Sequence, residues 1–248
     1  MNIEEDLVPG IAKTSNHEIA IRIADVVISA LALLVLLPLL TIIAGLIKLD
    51  SNGPVFFRQT RLGRGGAQFS IFKFRTMVNG AEEFGLKKST AHNDNRITHI
   101  GRLLRNWSID EIPQLLNILK GEMSIVGPRP AFLEHLEVYT GRQKRRLEVP
   151  PGLTGWAQVN GRNSLSWPAR IEHDLWYVEH RSLKLNLTIM WRTIPVLFNT
   201  DLIYGPVVNF ELSPEPEAEL APSAVNPAIP RTTERFPDSE KEKIPLSV

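Results

Sequence analysis

The sequence predicts an α/β chain, mostly α-helical, in which a small domain is carried on a membrane-seeking helix. Three observations point there. Residues 26–47, VVISALALLVLLPLLTIIAGLI, are uncharged over 22 positions, about the length that crosses a hydrocarbon core of roughly 30 Å as a helix. Two apolar stretches, VFF and FSIFKF, flank RLGRGG and read as a β-hairpin with a glycine-rich turn. Farther on, apolar residues recur at helical spacing in several short segments.

The leader MNIEEDLVPG is acidic and no small-residue cleavage pattern follows, so the apolar run is expected to stay in the protein. Arg22 precedes the run, and Lys48, Arg58, Arg61 and Arg64 follow it, so the positive-inside rule gives no orientation. Pro38 falls in its middle, where a lost backbone donor kinks a helix. A kinked helix that enters and leaves by one face fits both facts, and an ordinary single span fits the length equally well.

After the hairpin, residues 77–105 look polar and irregular. From Ile109 the positions Ile112, Leu115, Leu116 and Leu119 have helical spacing, MSIV reads as a short strand, and residues 132–148 read as a second helix with the basic end GRQKRR. VPPGLTGWAQVNG reads as a turn, and WPARIEHDLWYVEH and LNLTIMWRTIPVLF as amphipathic helices. From Glu211 the chain holds seven prolines and seven glutamates with few large apolar residues, the composition of a disordered tail. The expected divisions are a tail over 1–20, a membrane helix over 21–50, a folded domain over 51–210 and the tail over 211–248.

The formal charge of +1 conceals an asymmetry. Residues 21–210 hold 23 bases and 15 acids, an excess of eight positive charges. That excess suits an anionic partner such as phosphate or an acidic membrane face. The absence of cysteine excludes disulfides, thiolate metal sites and cysteine nucleophiles. The six histidines do not pair at i, i+4 in a helix, which argues against a histidine metal site. No recognition motif suggests nucleic acid.

The stretch NWSIDEIPQLLNILKGEMSIVGPRP concentrates the chemistry. Ser108 followed by Glu111 fits a capping box, and an acidic first turn complements a helix dipole. The same geometry suits a carboxylate nucleophile beside a phosphate. Pro113 disturbs the simple cap, since it falls where a helical donor is expected. Cations that would screen a phosphate are present: Lys73 and Arg75, alternate residues of one strand; Arg102 and Arg105; and Arg129, held between Pro128 and Pro130 and suited to a bidentate bond.

The motifs GPVFFRQTRLG, FKFRTM, LRNWSIDEIPQLLNILKGEMSIVGPRP, PGLTGWAQVNGRN and DLWYVEHRSLKLNL bring residues 20–200 into close resemblance with the bacterial sugar transferases, monotopic polyprenyl-phosphate phosphoglycosyl transferases that start exopolysaccharide and glycan assembly. The resemblance implies transfer of a sugar 1-phosphate from a UDP-sugar to undecaprenyl phosphate with release of UMP. It implies Asp110 as nucleophile and Mg²⁺ ligand, Glu111 as its acidic partner, and Lys73, Arg75, Arg105 and Arg129 near the diphosphate. It further implies a re-entrant helix broken at Pro38, amphipathic helices at the interface, and a catalytic domain on the cytoplasmic face of the bacterial inner membrane among its lipids; a homo-oligomer is compatible. Two departures stand out: Leu37 replaces the serine that usually precedes the proline, and Asn186 stands where relatives carry aspartate. The competing readings are a glycosyltransferase that releases UDP and a non-catalytic adaptor that binds anionic lipid.

Overall fold

The computed structural model describes residues 16–81 and 94–198, so residues 1–15 of the tail expected at 1–20, and the whole tail expected at 211–248, lie outside the described residues. The first helix, α1, runs Asn16–Asp50, starting five residues before the expected membrane segment. Among the described residues it is the one helix long and apolar enough to cross a membrane. Pro38 lies inside it, and the helix continues on both sides. The reason is local. Proline removes one donor, the bond to the carbonyl four residues back, while the neighbouring rungs persist. One turn later Thr41 Oγ1 donates to the Leu37 carbonyl at 2.9 Å, a back-bond of the kind that helps a helix bend.

Burial along α1 is confined to its two ends. Ile21, Asp25 and Ser29 form one buried stripe and Ile43 and Ile47 another, with no buried residue from 30 to 42. Arg22 donates to the Ile118 and Leu119 carbonyls at 2.5 and 2.9 Å, and Asp25 accepts from the Ser124 hydroxyl at 2.7 Å and the Ile125 amide at 3.0 Å. At the other end the Asp50 carboxylate accepts from the Ile100 amide at 2.9 Å.

The hairpin forms as the sequence predicts. Strands β1 (Phe56–Leu62) and β2 (Gln68–Phe74) pair antiparallel, Phe56 opposite Phe74 and Leu62 opposite Gln68. Helix α2 (His99–Asn106) lies inside the stretch expected to be irregular, with the Thr98 hydroxyl accepting from the Gly101 amide as its cap. A 3₁₀ turn, Ile109–Gln114, leads into α3 (Leu115–Lys120), and Gly121, in the left-handed region at φ 89°, ends it. Strand β3 (Ser124–Val126) follows.

The expected helix over 132–148 is broken. It consists of α4 (His135–Val138), α5 (Gly141–Lys144) and a 3₁₀ turn at Arg145–Leu147. Thr140 and Gln143 form a capping box that starts α5 afresh, which is why a single helix does not continue. The supposed turn at 149–161 hides strand β4 (Gly152–Thr154), parallel to β3. A β-carbon on Gly152 would run into the Gly127 backbone, so these glycines allow the two chains to meet. Helices α6 (Trp156–Val159), α7 (Trp167–His180) and α8 (Leu183–Leu197) complete the described chain.

The main core joins Phe69 and Ile71 of β2, Leu115 and Ile118 of α3, Tyr177 of α7 and Ile189 of α8. Ile118 and Ile189 are fully buried, each worth about 1.5–3 kcal/mol relative to exposure. Asn186 is buried with its side-chain oxygen 2.8 Å from the Tyr177 hydroxyl. A neutral amide satisfies that contact without the cost of a buried charge. α8 turns Leu187, Trp191, Ile194 and Phe198 outward along one face.

Candidate active site

The chain leaves α2 through Ser108, which adopts φ 54°, ψ 22°, and re-enters as the 3₁₀ turn at Ile109. An α-helix capped at Ser108 would require residue 113 to donate to the Ile109 carbonyl. Proline has no such donor, so the tighter turn forms first and regular α-helix waits until Leu115. The expected capping box is absent: the Ser108 side chain makes no cap bond, and its hydroxyl instead accepts from Arg162 Nη2 at 2.9 Å. The acidic pair therefore opens a 3₁₀ turn and does not cap an α-helix.

The two acids have different surroundings. Glu111 is buried and clamped: Lys73 Nζ lies 2.6 Å from its Oε1, Arg129 Nη2 lies 2.7 Å from the same oxygen, and Arg129 Nη1 lies 3.4 Å from Oε2. Arg129 and Lys73 together hold its carboxyl well below the usual carboxylate range, against the opposing effect of burial. Asp110 makes no hydrogen bond or ion pair among the described residues, although it lies within electrostatic reach of Lys73, Arg105 and Arg129. Loss of water around it, and the Glu111 charge beside it, push its carboxyl up to about 6.

Four elements hold this arrangement. β2 presents Lys73. α2 presents Arg105, whose Nε donates to the Thr76 hydroxyl at 2.8 Å. The 3₁₀ turn brings the acids, and the segment after β3 brings Arg129. Consecutive carbonyls fix that last segment: Pro128 accepts from the Gly152 amide at 2.8 Å, Arg129 from Arg146 Nη2 at 3.1 Å, Pro130 from Arg61 Nη1 at 3.2 Å and Ala131 from the Leu62 amide at 2.9 Å. Its two prolines have no donor to satisfy, so the turn is rigid and Arg129 is preorganised.

Arg75 is a correction. It lies just past β2, and its Nη2 donates to the Ile47 carbonyl at 3.2 Å and to the Ser51 carbonyl and hydroxyl at 2.6 and 2.9 Å. It braces the carboxyl end of α1 and stands apart from the Lys73–Glu111 group. The strand ends before it, so the alternation that would put it beside Lys73 no longer applies.

Several residues were not foreseen. Arg162, in the GRN triplet, is electrostatically coupled to Asp110, Glu111 and Arg129. Arg146 and Asp174 form a buried ion pair at 2.5 Å behind Arg129. Only a fold that packs α7 under the Arg129 turn brings Asp174 there, and no local pattern announces it. Among the described residues no cluster of three or more His, Cys, Asp or Glu side chains is placed to hold a metal by itself.

A family model described as bacterial sugar transferase matches residues 16–200. The uncharacterized sugar transferase EpsL of Bacillus subtilis is 49% identical over 148 residues, covering 60% of this chain and 72% of that protein. The UDP-glucose:undecaprenyl-phosphate glucose-1-phosphate transferase of Caulobacter vibrioides is 45% identical over 192 residues, 74% of this chain and 71% of its own. The exopolysaccharide production protein ExoY of Sinorhizobium fredii is 40% identical over 190 residues, 71% and 84% of the respective chains.

Proposed function

The chain belongs to the bacterial sugar transferase family, and from that premise we propose that it moves a sugar 1-phosphate from a UDP-sugar to undecaprenyl phosphate through a covalent intermediate on Asp110. It is a transferase. The observation that carries the finer reading is the division of labour between neighbouring acids: Glu111 is neutralised by Lys73 and Arg129, while Asp110 is left unpaired among cations. An ion-paired carboxylate is a poor nucleophile; an unpaired one ringed by positive charge can approach a phosphate.

In the first half-reaction an Asp110 carboxylate oxygen attacks the phosphorus that bears the sugar. The bond from that phosphorus to the bridging oxygen breaks, and UMP departs with the oxygen. In the second, an oxygen of undecaprenyl phosphate attacks the same phosphorus, the bond to Asp110 breaks, and the carboxylate returns as the polyprenyl diphosphate sugar leaves. Lys73 and Arg129, held on Glu111, and Arg105, held on Thr76, stabilise the charge that develops on the phosphoryl oxygens. Two anionic substrates need not meet, because the enzyme carries the group between them.

Mg²⁺ fits these residues. Asp110 is the acid left unengaged, and Mg²⁺ is commonly held by one or two carboxylates together with substrate phosphates, without an all-protein cage. When bound, it would supply charge neutralisation at the diphosphate. The relatives named for UDP-glucose and for exopolysaccharide production make UDP-glucose the first donor to test and exopolysaccharide initiation the proposed context.

The membrane arrangement proposed here rests on α1. Both of its ends bind the same domain while its middle is left exposed, which supports a re-entrant helix over a crossing; the family resemblance adds the cytoplasmic face of the inner membrane as the proposed side. Pro38 and the Thr41 back-bond, both at the exposed middle, are the features able to bend it. The outward apolar face of α8 would rest in the interface.

Purified protein supplied with UDP-glucose labelled in the sugar-bearing phosphate, without acceptor, is expected to gain one phosphoglucose by intact mass, located on Asp110, and to release UMP stoichiometrically. Asp110→Asn is expected to do neither. Release of UDP would replace this reading with simple glycosyl transfer.

A further inference from the structure

Ser108 and Arg162 are the non-glycine residues with positive φ among the described residues, at 54° and 50°. They come from segments 54 positions apart and hydrogen-bond to each other, Arg162 Nη2 donating to the Ser108 hydroxyl at 2.9 Å. A left-handed backbone at an ordinary residue costs of order 1 kcal/mol and persists where the surroundings enforce it. Here the enforcement is visible. Gly161, at φ 141°, precedes the turn, and Arg170 pins the residues after it, its Nε donating to the Leu165 carbonyl at 3.0 Å and its Nη2 to the Asn163 carbonyl at 3.2 Å.

The strained turn delivers a guanidinium with capacity to spare. Arg162 Nη1 is buried and has no hydrogen-bond partner. A buried donor on a charged group is costly to leave unmade. Around Asp110 and Glu111 stand Lys73, Arg105, Arg129 and Arg162, four cations to two carboxylates. The excess of two positive charges calls for an anion of about two negative charges.

We propose that Arg162 is a substrate-binding residue whose free Nη1 takes a phosphate oxygen at the face of Asp110, with Ser108 holding the other arm of the fork in place. The inference rests on the reading of Asp110 as the phosphoryl acceptor and adds a fourth cation to the phosphate site. The ligand is a phosphate group, which two molecules can bring: the diphosphate of the sugar nucleotide or the monophosphate of the polyprenyl acceptor.

The test separates them. UDP binding is measured calorimetrically on the full-length protein, and the two half-reactions are timed separately, as adduct formation from UDP-glucose and as discharge of the adduct to undecaprenyl phosphate. If the nucleotide is the ligand, Arg162→Ala weakens UDP binding and slows adduct formation by about tenfold or more, the usual scale of a lost charge-assisted bond. If the acceptor is the ligand, adduct formation is unchanged and discharge slows by a similar factor. Arg162→Lys recovers part of the loss in either case, because charge remains without the fork. Ser108→Ala, which unfastens Nη2 alone, produces a smaller loss in the same step and serves if Arg162→Ala fails to fold. A folded Arg162→Ala protein with both half-reactions and UDP affinity within twofold of the parent would overturn the inference. Dependence of UDP binding on Arg162 in a parent protein that forms no adduct would instead leave it standing and remove the Asp110 reading.

Discussion

At the scale of the residue, the raised Asp110 carboxyl sets a pH dependence. The group is charged above about 6 and protonated below it, so kcat/KM for the UDP-sugar is expected to fall on the acid side with an apparent pKa near 6. Glu111, held low by its two cations, does not titrate in that range. Glu111→Gln should move the acid limb downward. The change removes a like charge next to Asp110 and releases Lys73 and Arg129 toward it, and both effects favour the ionised form. A limb that stays put or moves upward would show that Glu111 does not set the charge of Asp110. The same shift carries a stability sign. An aspartate whose folded-state pKa is raised favours folding below its unfolded value, near 3.8, and loses that contribution as pH rises through 6. Asp110→Asn should therefore melt no lower than the parent at pH 7.5 and gain on the order of 1 kcal/mol, discounted for partial solvent access.

At the scale of the element, α2 matters because it aims Arg105. Gly101, in its first turn, lies against the backbone of Thr76, and a β-carbon there would meet the Thr76 carbonyl. Thr76 also receives Arg105 and, through its carbonyl, the Thr98 amide at 3.1 Å. Gly101→Ala must push helix and strand end apart. The expected cost is about 1–3 kcal/mol of stability, as for other overpacked sites, with adduct formation slowed more than UDP binding is weakened, since Arg105 moves relative to Asp110. Melting curves and half-reaction rates check both. This helix also shows what the sequence could and could not disclose. Long periodic elements such as α7 and α8, and the hairpin with its glycine-rich turn, are legible because burial writes a period into them. α2 was hidden by its histidine and arginines, which dilute the apolar stripe of Ile100 and Leu104. β4 was hidden by PPGLTG, whose glycines look like a turn but permit close approach to Gly127. Asp110, Glu111, Lys73, Arg105 and Arg129 were legible as a set of charges; that Glu111 is clamped and Asp110 is not depends on side-chain geometry that spacing does not encode.

At the scale of the whole molecule, the two ends of α1 decide how the protein meets the bilayer. A straight helix of 35 residues spans about 52 Å, more than the roughly 30 Å hydrocarbon thickness. In a crossing orientation Arg22 and Asp50 would therefore lie on opposite sides. Here Arg22 is bonded to α3 and Asp50 to α2, elements joined by one short 3₁₀ turn that carries the candidate nucleophile. Crossing would require one set of bonds to break and the buried stripe beneath it to be exposed. The two docked ends would keep the site at headgroup depth, where a lipid phosphate is found. The sequence contains no cysteine, so single cysteines can report the topology without background. Asn16→Cys and Asn52→Cys place a thiol at exposed positions flanking the helix. In inverted inner-membrane vesicles, whose cytoplasmic face is outward, both are expected to react with an impermeant maleimide, and in intact spheroplasts neither. Labelling of one position from each side would establish a crossing helix. That outcome would also require one end of α1 to undock from the domain that holds Asp110.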